Sequence, residues 1–343
     1  MKQLKFAWAL GVVFSGAASA TDAPPKVDET YIPYEQEGML VKIADGQTIH
    51  VKCMGSGTPT VILTAGLGDW AAAWRKVQPQ IAKTTRVCAW DRPGFGFSSG
   101  SLKRQTVMDT TGSLAAALKQ ARISGPYVMV GHSLGGYETL LFKDRNPRAV
   151  VGMVLVDSSM PDQQNRFKNV APQFAAWFDT YMAGGVAMYG RCLDGLKTGK
   201  LKVGSPDPDG CLQFPPDYPP TLARALAIKD TNPLRFNAVR SLVQNFAEGS
   251  TLVANPNRNY RDMPLVVLTA TKDPELPPSG PSQDQMEAVR AEWQLGHKQL
   301  TILSSRGTNY QVPGAGHYIQ NDQPQAVIDA VNTVVATARK QGR

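Results

Sequence analysis

The chain has 343 residues, 42% of them hydrophobic, and carries a formal net charge of +8. That length suits one large α/β domain with an insertion. The basic excess forms no lysine/arginine block and no basic helical face, so it speaks for solubility and against nucleic-acid binding. The N-terminus opens with Lys2 and Lys5, an apolar run from Phe6 to about Phe14, and the small-x-small site Ala18-Ser19-Ala20. This pattern predicts a signal peptide over residues 1–20 and a mature chain starting near Thr21, periplasmic or secreted. The run is shorter than the ~20 residues of a spanning helix, and no later segment is apolar enough, so no stable membrane anchor is expected. Four cysteines in an oxidising compartment allow three pairings, and we expect Cys53–Cys88 and Cys192–Cys211. No Cys-x-x-Cys spacing with nearby histidine exists, so no metal and no cofactor is expected.

Apolar, β-branched runs recur along the chain with helical segments between them, which predicts a mostly parallel sheet. An opening ribbon (39–43 and 48–53) precedes runs at 60–63, 86–90, 127–130, 152–156, 265–268 and 308–312. Helical segments are expected near 70–82, 105–122, 134–145, 282–304 and 324–340. The alternation breaks between Ser159 and Asp262, a stretch rich in aromatic residues, Gly and Pro. We read residues 159–262 as a largely helical cap inserted after the sixth strand, with 21–158 and 263–343 as the core. Its aromatic and methionine side chains are expected to form the cap's own core rather than line a pocket.

Chemistry is signalled by Gly131-His132-Ser133-Leu134-Gly135, directly after the apolar run Tyr127-Val128-Met129-Val130. Between a strand and a helix, the glycines permit a tight turn that lifts the serine hydroxyl clear of the sheet. A serine hydroxyl needs a base. Of the four histidines, His317 alone sits in a turn after the last strand, within Gly314-Ala315-Gly316-His317. His50 falls in an early strand and His297 in a helix, both read as surface or packing residues. His132 is expected to pack or to support its loop. For the acid that orients the imidazole, Asp273 and Asp157 both follow strands in suitable chain order. Asp273 is preferred because Lys272-Asp273-Pro274 stops the strand beside the one leading to His317, with Asp157 as the alternative. The oxyanion donors are expected to be the backbone N–H groups of Leu67 and Leu134.

Together, Ala65-Gly66-Leu67-Gly68, Asp91-Arg92-Pro93-Gly94-Phe95-Gly96-Phe97-Ser98, the serine pentapeptide, Thr271-Lys272-Asp273-Pro274 and Gly314-Ala315-Gly316-His317 resemble the α/β-hydrolase superfamily, in its capped serine-esterase form. The resemblance implies an α/β-hydrolase fold with an eight-stranded sheet in the order 1-2-4-3-5-6-7-8. In that order strands two and four are neighbours, which favours Cys53–Cys88 independently. It also implies a structural role for Asp91–Ser98. Serine at position 133 separates the chain from relatives such as epoxide hydrolases, which use aspartate at that turn. Many relatives carry His-Gly where this chain has Ala65-Gly66, so no imidazole braces the oxyanion loop from that position.

The expected function is a secreted serine hydrolase that cleaves a carboxylic ester of a small or medium-sized substrate through an acyl-enzyme. Amide or peptide cleavage, as in proline-iminopeptidase-like relatives, and a slow-turnover ligand receptor on the same fold are the alternatives. A cyanohydrin lyase is a more distant one.

Overall fold

The computed structural model describes residues 26–44, 46–273 and 276–341. The expected signal peptide lies outside the described residues. Eight strands form one sheet: β1 (Met39–Lys42), β2 (Thr48–Met54), β3 (Thr60–Thr64), β4 (Val87–Trp90), β5 (Tyr127–His132), β6 (Val150–Val156), β7 (Leu265–Ala270) and β8 (Gly307–Val312). Their order is β1-β2-β4-β3-β5-β6-β7-β8. β2 runs antiparallel to β1 and β4, and every pairing from β4 onward is parallel.

The sequence explains which strands lie at the centre. Every residue of β3, β4 and β5 is buried, as continuous apolar runs covered by helices on both faces require. The edge strand β1 is short, mostly exposed and ends on Lys42, features that discourage pairing with another chain. The helices Val107–Gln120, Leu134–Arg145, Gln283–Thr301 and Pro324–Gln341 fall close to the expected segments. The expected 70–82 segment is only two short pieces, Ala71–Trp74 and Gln78–Ile81.

Cys53 and Cys88 are direct partners across the β2–β4 ladder and are bonded. Cys192–Cys211 is the second disulfide. The stretch between β6 and β7 holds five helices, Gln163–Val170, Pro172–Lys197, Pro220–Asp230, Pro233–Gln244 and Phe246–Leu252. Among the described residues no helix is long and apolar enough to cross a membrane.

Candidate active site

Ser133 sits between β5 and the helix Leu134–Arg145 with φ 51° and ψ −124°, outside the regions an L-residue ordinarily adopts. Two close backbone approaches force this turn. A Cβ on Gly131 would meet the Gly135 carbonyl oxygen at 2.5 Å, and one on Gly135 would meet that of Thr64 at 2.3 Å. Both positions therefore need glycine for contact with backbone that cannot yield. Leu134 opens the helix, so its N–H is one of the helix's unpaired donors and points toward the serine end.

The acid that reaches the imidazole is Asp157, and Asp273 does not. His317 Nδ1 lies 2.7 Å from Asp157 Oδ2. Register explains it. His132 and Val156 are partners across β5 and β6, so the residues that follow them, Ser133 and Asp157, emerge side by side. Asp157 turns at φ 38°, and its Oδ1 accepts from the Ala270 N–H and the Trp293 indole N–H, each at 2.9 Å. Burial pushes this carboxyl up, but the His317 hydrogen bond and charge, the nearby His297 and the Trp293 N–H outweigh it and hold it at about 2.

The expectation for Asp273 fails because its segment is used otherwise. β7 ends three residues earlier, at Ala270. The N–H groups of Thr271 and Lys272 then both donate to the Ala315 carbonyl, pinning the turn that carries His317. Asp273 is left exposed at the mouth of the turn, paired with Arg290, and the two line the cavity of Ser133 without a bond to His317.

The loop carrying Leu67 is fixed by a buried ion pair that sequence reasoning did not find. Arg92 donates to both Glu138 carboxyl oxygens, at 2.7 and 2.6 Å, and to the Gly66 carbonyl at 2.8 Å and the Ala65 carbonyl. Arg92 and Glu138 are both fully enclosed. Asp91, on the same stretch, accepts from the Ala71 and Phe97 N–H groups and bonds His50 Nδ1. The segment Asp91–Ser98 is accordingly structural, and His50 serves it. His297 is buried too, bonded to Thr269 Oγ1 and the Ser158 carbonyl. A charged Arg and Glu each separated by tens of residues from their partner leave no local pattern to read.

Ser133, Asp157 and His317 open onto one cavity of about 110 Å³, whose wall includes Phe167, Phe174, Phe178, Phe246, Val289 and Trp293. The insertion's aromatic residues thus do both jobs: Phe174 and Phe178 belong to the hydrophobic core and also face the cavity. Among the described residues no group of three or more metal-ligating side chains could hold an ion.

An eight-stranded, mostly parallel sheet in this strand order, with a sharp turn between β5 and the helix after it, is the fold of the hydrolase class of α/β proteins. A model of the alpha/beta hydrolase family matches residues 61–330, and the chain belongs to that family. Over 301 residues it is 31% identical to the uncharacterized protein YqjL of Bacillus subtilis, spanning 87% of this chain and 92% of YqjL. It is 32% identical over 125 residues to a 2-hydroxy-6-oxononadienedioate/2-hydroxy-6-oxononatrienedioate hydrolase of Cupriavidus pinatubonensis, covering 34% of this chain and 43% of that protein. It spans 28% of an uncharacterized Schizosaccharomyces pombe protein to which it is 31% identical over 150 residues. An alpha/beta hydrolase fold protein from Burkholderia ambifaria shares the fold, with TM-score 0.51, 18% identity and 86% and 98% of the two chains covered. Fold and relatives support hydrolase activity.

Proposed function

We propose that the protein is an exported serine hydrolase that cleaves a carboxylic ester carrying an apolar acyl group. One observation carries this reading: a serine in a strained turn and a histidine held by a buried aspartate face the same apolar cavity. In this reading Ser133 Oγ attacks the carbonyl carbon while His317 takes its proton. Asp157 fixes the imidazole so that the other ring nitrogen is free to act, and stabilises the cation that forms. The N–H groups of Leu67 and Leu134 receive the oxyanion. His317 then protonates the leaving alcohol, and water repeats the sequence on the acyl-enzyme. The aromatic wall suits an apolar acyl chain, whose burial is worth about 0.8 kcal/mol per CH2 group. The segment 159–262 acts as a cap over the cavity, and the two disulfides are compatible with export.

Intact-protein mass spectrometry after a fluorophosphonate probe tests the mechanism. Labelling is expected at Ser133, and Ser133→Ala should lose both the label and at least about a thousandfold in ester turnover. An unlabelled wild-type protein would end the reading. The named hydrolase from Cupriavidus favours a second substrate class, 2-hydroxy-6-oxo-dienoates. Faster turnover of such a compound than of nitrophenyl esters of graded acyl length would select it.

A further inference from the structure

Two buried polar atoms beside the serine turn lack a partner. His132 Nδ1 and Asp69 Oδ2 are both enclosed and unbonded, and they face one another at 3.9 Å. The other ring nitrogen of His132, Nε2, lies 2.9 Å from the carbonyl oxygen of His317. A carbonyl only accepts, so Nε2 carries the hydrogen. A neutral ring must then present Nδ1 as a bare lone pair. An ionised Asp69 would meet it with a second lone pair, and each unsatisfied buried group carries a desolvation cost. One proton between them removes both deficits.

We propose that Asp69 and His132 take up a single shared proton and close their 3.9 Å separation into a hydrogen bond that ties the oxyanion loop to the turn bearing His317, which makes the pair a positioning device for the reaction at Ser133. The inference rests on the serine-hydrolase reading above. The proton's location does not change the bond: neutral carboxyl with neutral ring, or carboxylate with imidazolium, carries the same proton count, and the pair titrates as a unit.

The placement suits that role. A Cβ on Gly66 would meet His132 Nδ1 at 2.9 Å and Asp69 Oδ2 at 3.0 Å, so the residue just before Leu67 touches both partners. From Asp69 the link runs through the His132 ring to the His317 backbone, and the His132 and His317 rings lie 4.7 Å apart between centroids. The imidazole that Ala65 does not supply thus reaches the loop from β5.

The charged and titratable groups around the pair are few. The Asp69 carboxyl accepts a hydrogen bond from the Tyr318 hydroxyl and faces Arg92, His317, Arg75 and Tyr218. Arg92 is paired with Glu138 and Arg75 with Asp28. His132 faces His317, Asp157 and Arg92. Burial raises the Asp69 carboxyl to about 6 against the pull of Tyr318 and the cations. Burial and the His317 charge hold the His132 ring well below the usual imidazole range. Both directions place the proton on Asp69, and a bond from there to Nδ1 favours the protonated pair further. Asp69 also lines a second cavity of about 280 Å³ with Trp70, Tyr218 and Tyr318, which gives the proton a path to solvent.

The test is steady-state hydrolysis of a nitrophenyl ester by the full chain from pH 5 to 9, comparing wild type, Asp69→Ala, Asp69→Asn and Ser133→Ala. The asparagine amide donates to Nδ1 at every pH. Asp69→Ala should lose about tenfold in kcat with KM within about twofold, and Asp69→Asn should recover most of that loss. Wild-type kcat should decline as the pair releases its proton above about pH 6, whereas Asp69→Asn should lack that limb. Equal kcat in wild type and Asp69→Ala, or an unchanged limb in Asp69→Asn, overturns the pair while an inactive Ser133→Ala leaves the serine reading standing. An active Ser133→Ala overturns both. If Asp69→Ala does not fold, the nitrogen-15 shift of His132 Nδ1 in the wild type decides: a hydrogen-bonded nitrogen at low pH supports the pair, and a free lone pair from pH 5 to 9 overturns it.

Discussion

Asp157 and Asp273 differ by what surrounds them, and that difference sets what each substitution should do. Asp157 is nearly fully enclosed and bonds His317, Trp293 and the Ala270 N–H. Asp157→Asn should lower kcat by about 10⁴, because the amide favours the wrong imidazole tautomer. Asp273→Asn loses an exposed ion pair at the cavity wall but no bond to His317, so ester kinetics should stay within a few-fold of wild type. The reverse ranking in ester kinetics would return the role to Asp273. Stability should follow the same carboxylate. Its folded value of about 2 lies below the ordinary 3.8, so its contribution is full above about pH 4 and disappears as pH falls through 2. Urea unfolding from pH 6 to pH 2 should show the wild-type advantage over Asp157→Asn shrinking across that window. The convergence of Ser133 and His317 on one cavity was legible because each follows a strand within a glycine-bounded turn. Which aspartate bonds the imidazole was not, because both satisfy chain order and only register distinguishes them. One local signal pointed the right way: Asp157 directly follows its apolar run, as Ser133 follows β5, whereas Asp273 comes three residues after β7 ends.

At the level of elements, the loop carrying Leu67 depends on a contact between three parts of the chain. Arg92 lies after β4, Glu138 in the helix that begins at Leu134, and the carbonyls of Ala65 and Gly66 after β3. Thr110, from a fourth element, also donates to Glu138. Bonding to charged groups stabilises such a buried pair, but losing one member leaves the other charge uncompensated. Glu138→Ala should therefore cost about 3–5 kcal/mol in urea unfolding. Residual activity should fall further than the unfolded fraction explains, since Arg92 would no longer be held against the loop carrying Leu67. An activity loss that tracks the unfolded fraction alone would separate the pair from the site. The Asp91–Ser98 motif marked this region as structural in the sequence. Its partner Glu138 was hidden, because a helix-face glutamate resembles any solvated one until the fold encloses it.

Across the whole molecule, strand order and both disulfides were legible from periodicity, cysteine placement and family resemblance. The interior of the insertion was not. Its aromatic residues carry no sheet-like or single-face period, so pattern alone does not say which of them, such as Phe174 and Phe178, turn to the cavity. The disulfides test how independent the two regions are. Cys53–Cys88 closes 35 residues within the sheet and Cys192–Cys211 closes 19 within the insertion. Loop closure in the unfolded chain assigns about 4 and 3 kcal/mol to them. Neither pair lines the serine cavity. The Cys192→Ser/Cys211→Ser variant should therefore lose urea stability while ester turnover at 25 °C stays within a few-fold. The Cys53→Ser/Cys88→Ser variant should lose somewhat more, because its cysteines are direct partners in the ladder that joins β2 to β4. Folded Cys192→Ser/Cys211→Ser protein with turnover reduced a hundredfold would show that the insertion's bridge shapes the cavity from a distance, and would remove the separation argued between the two regions.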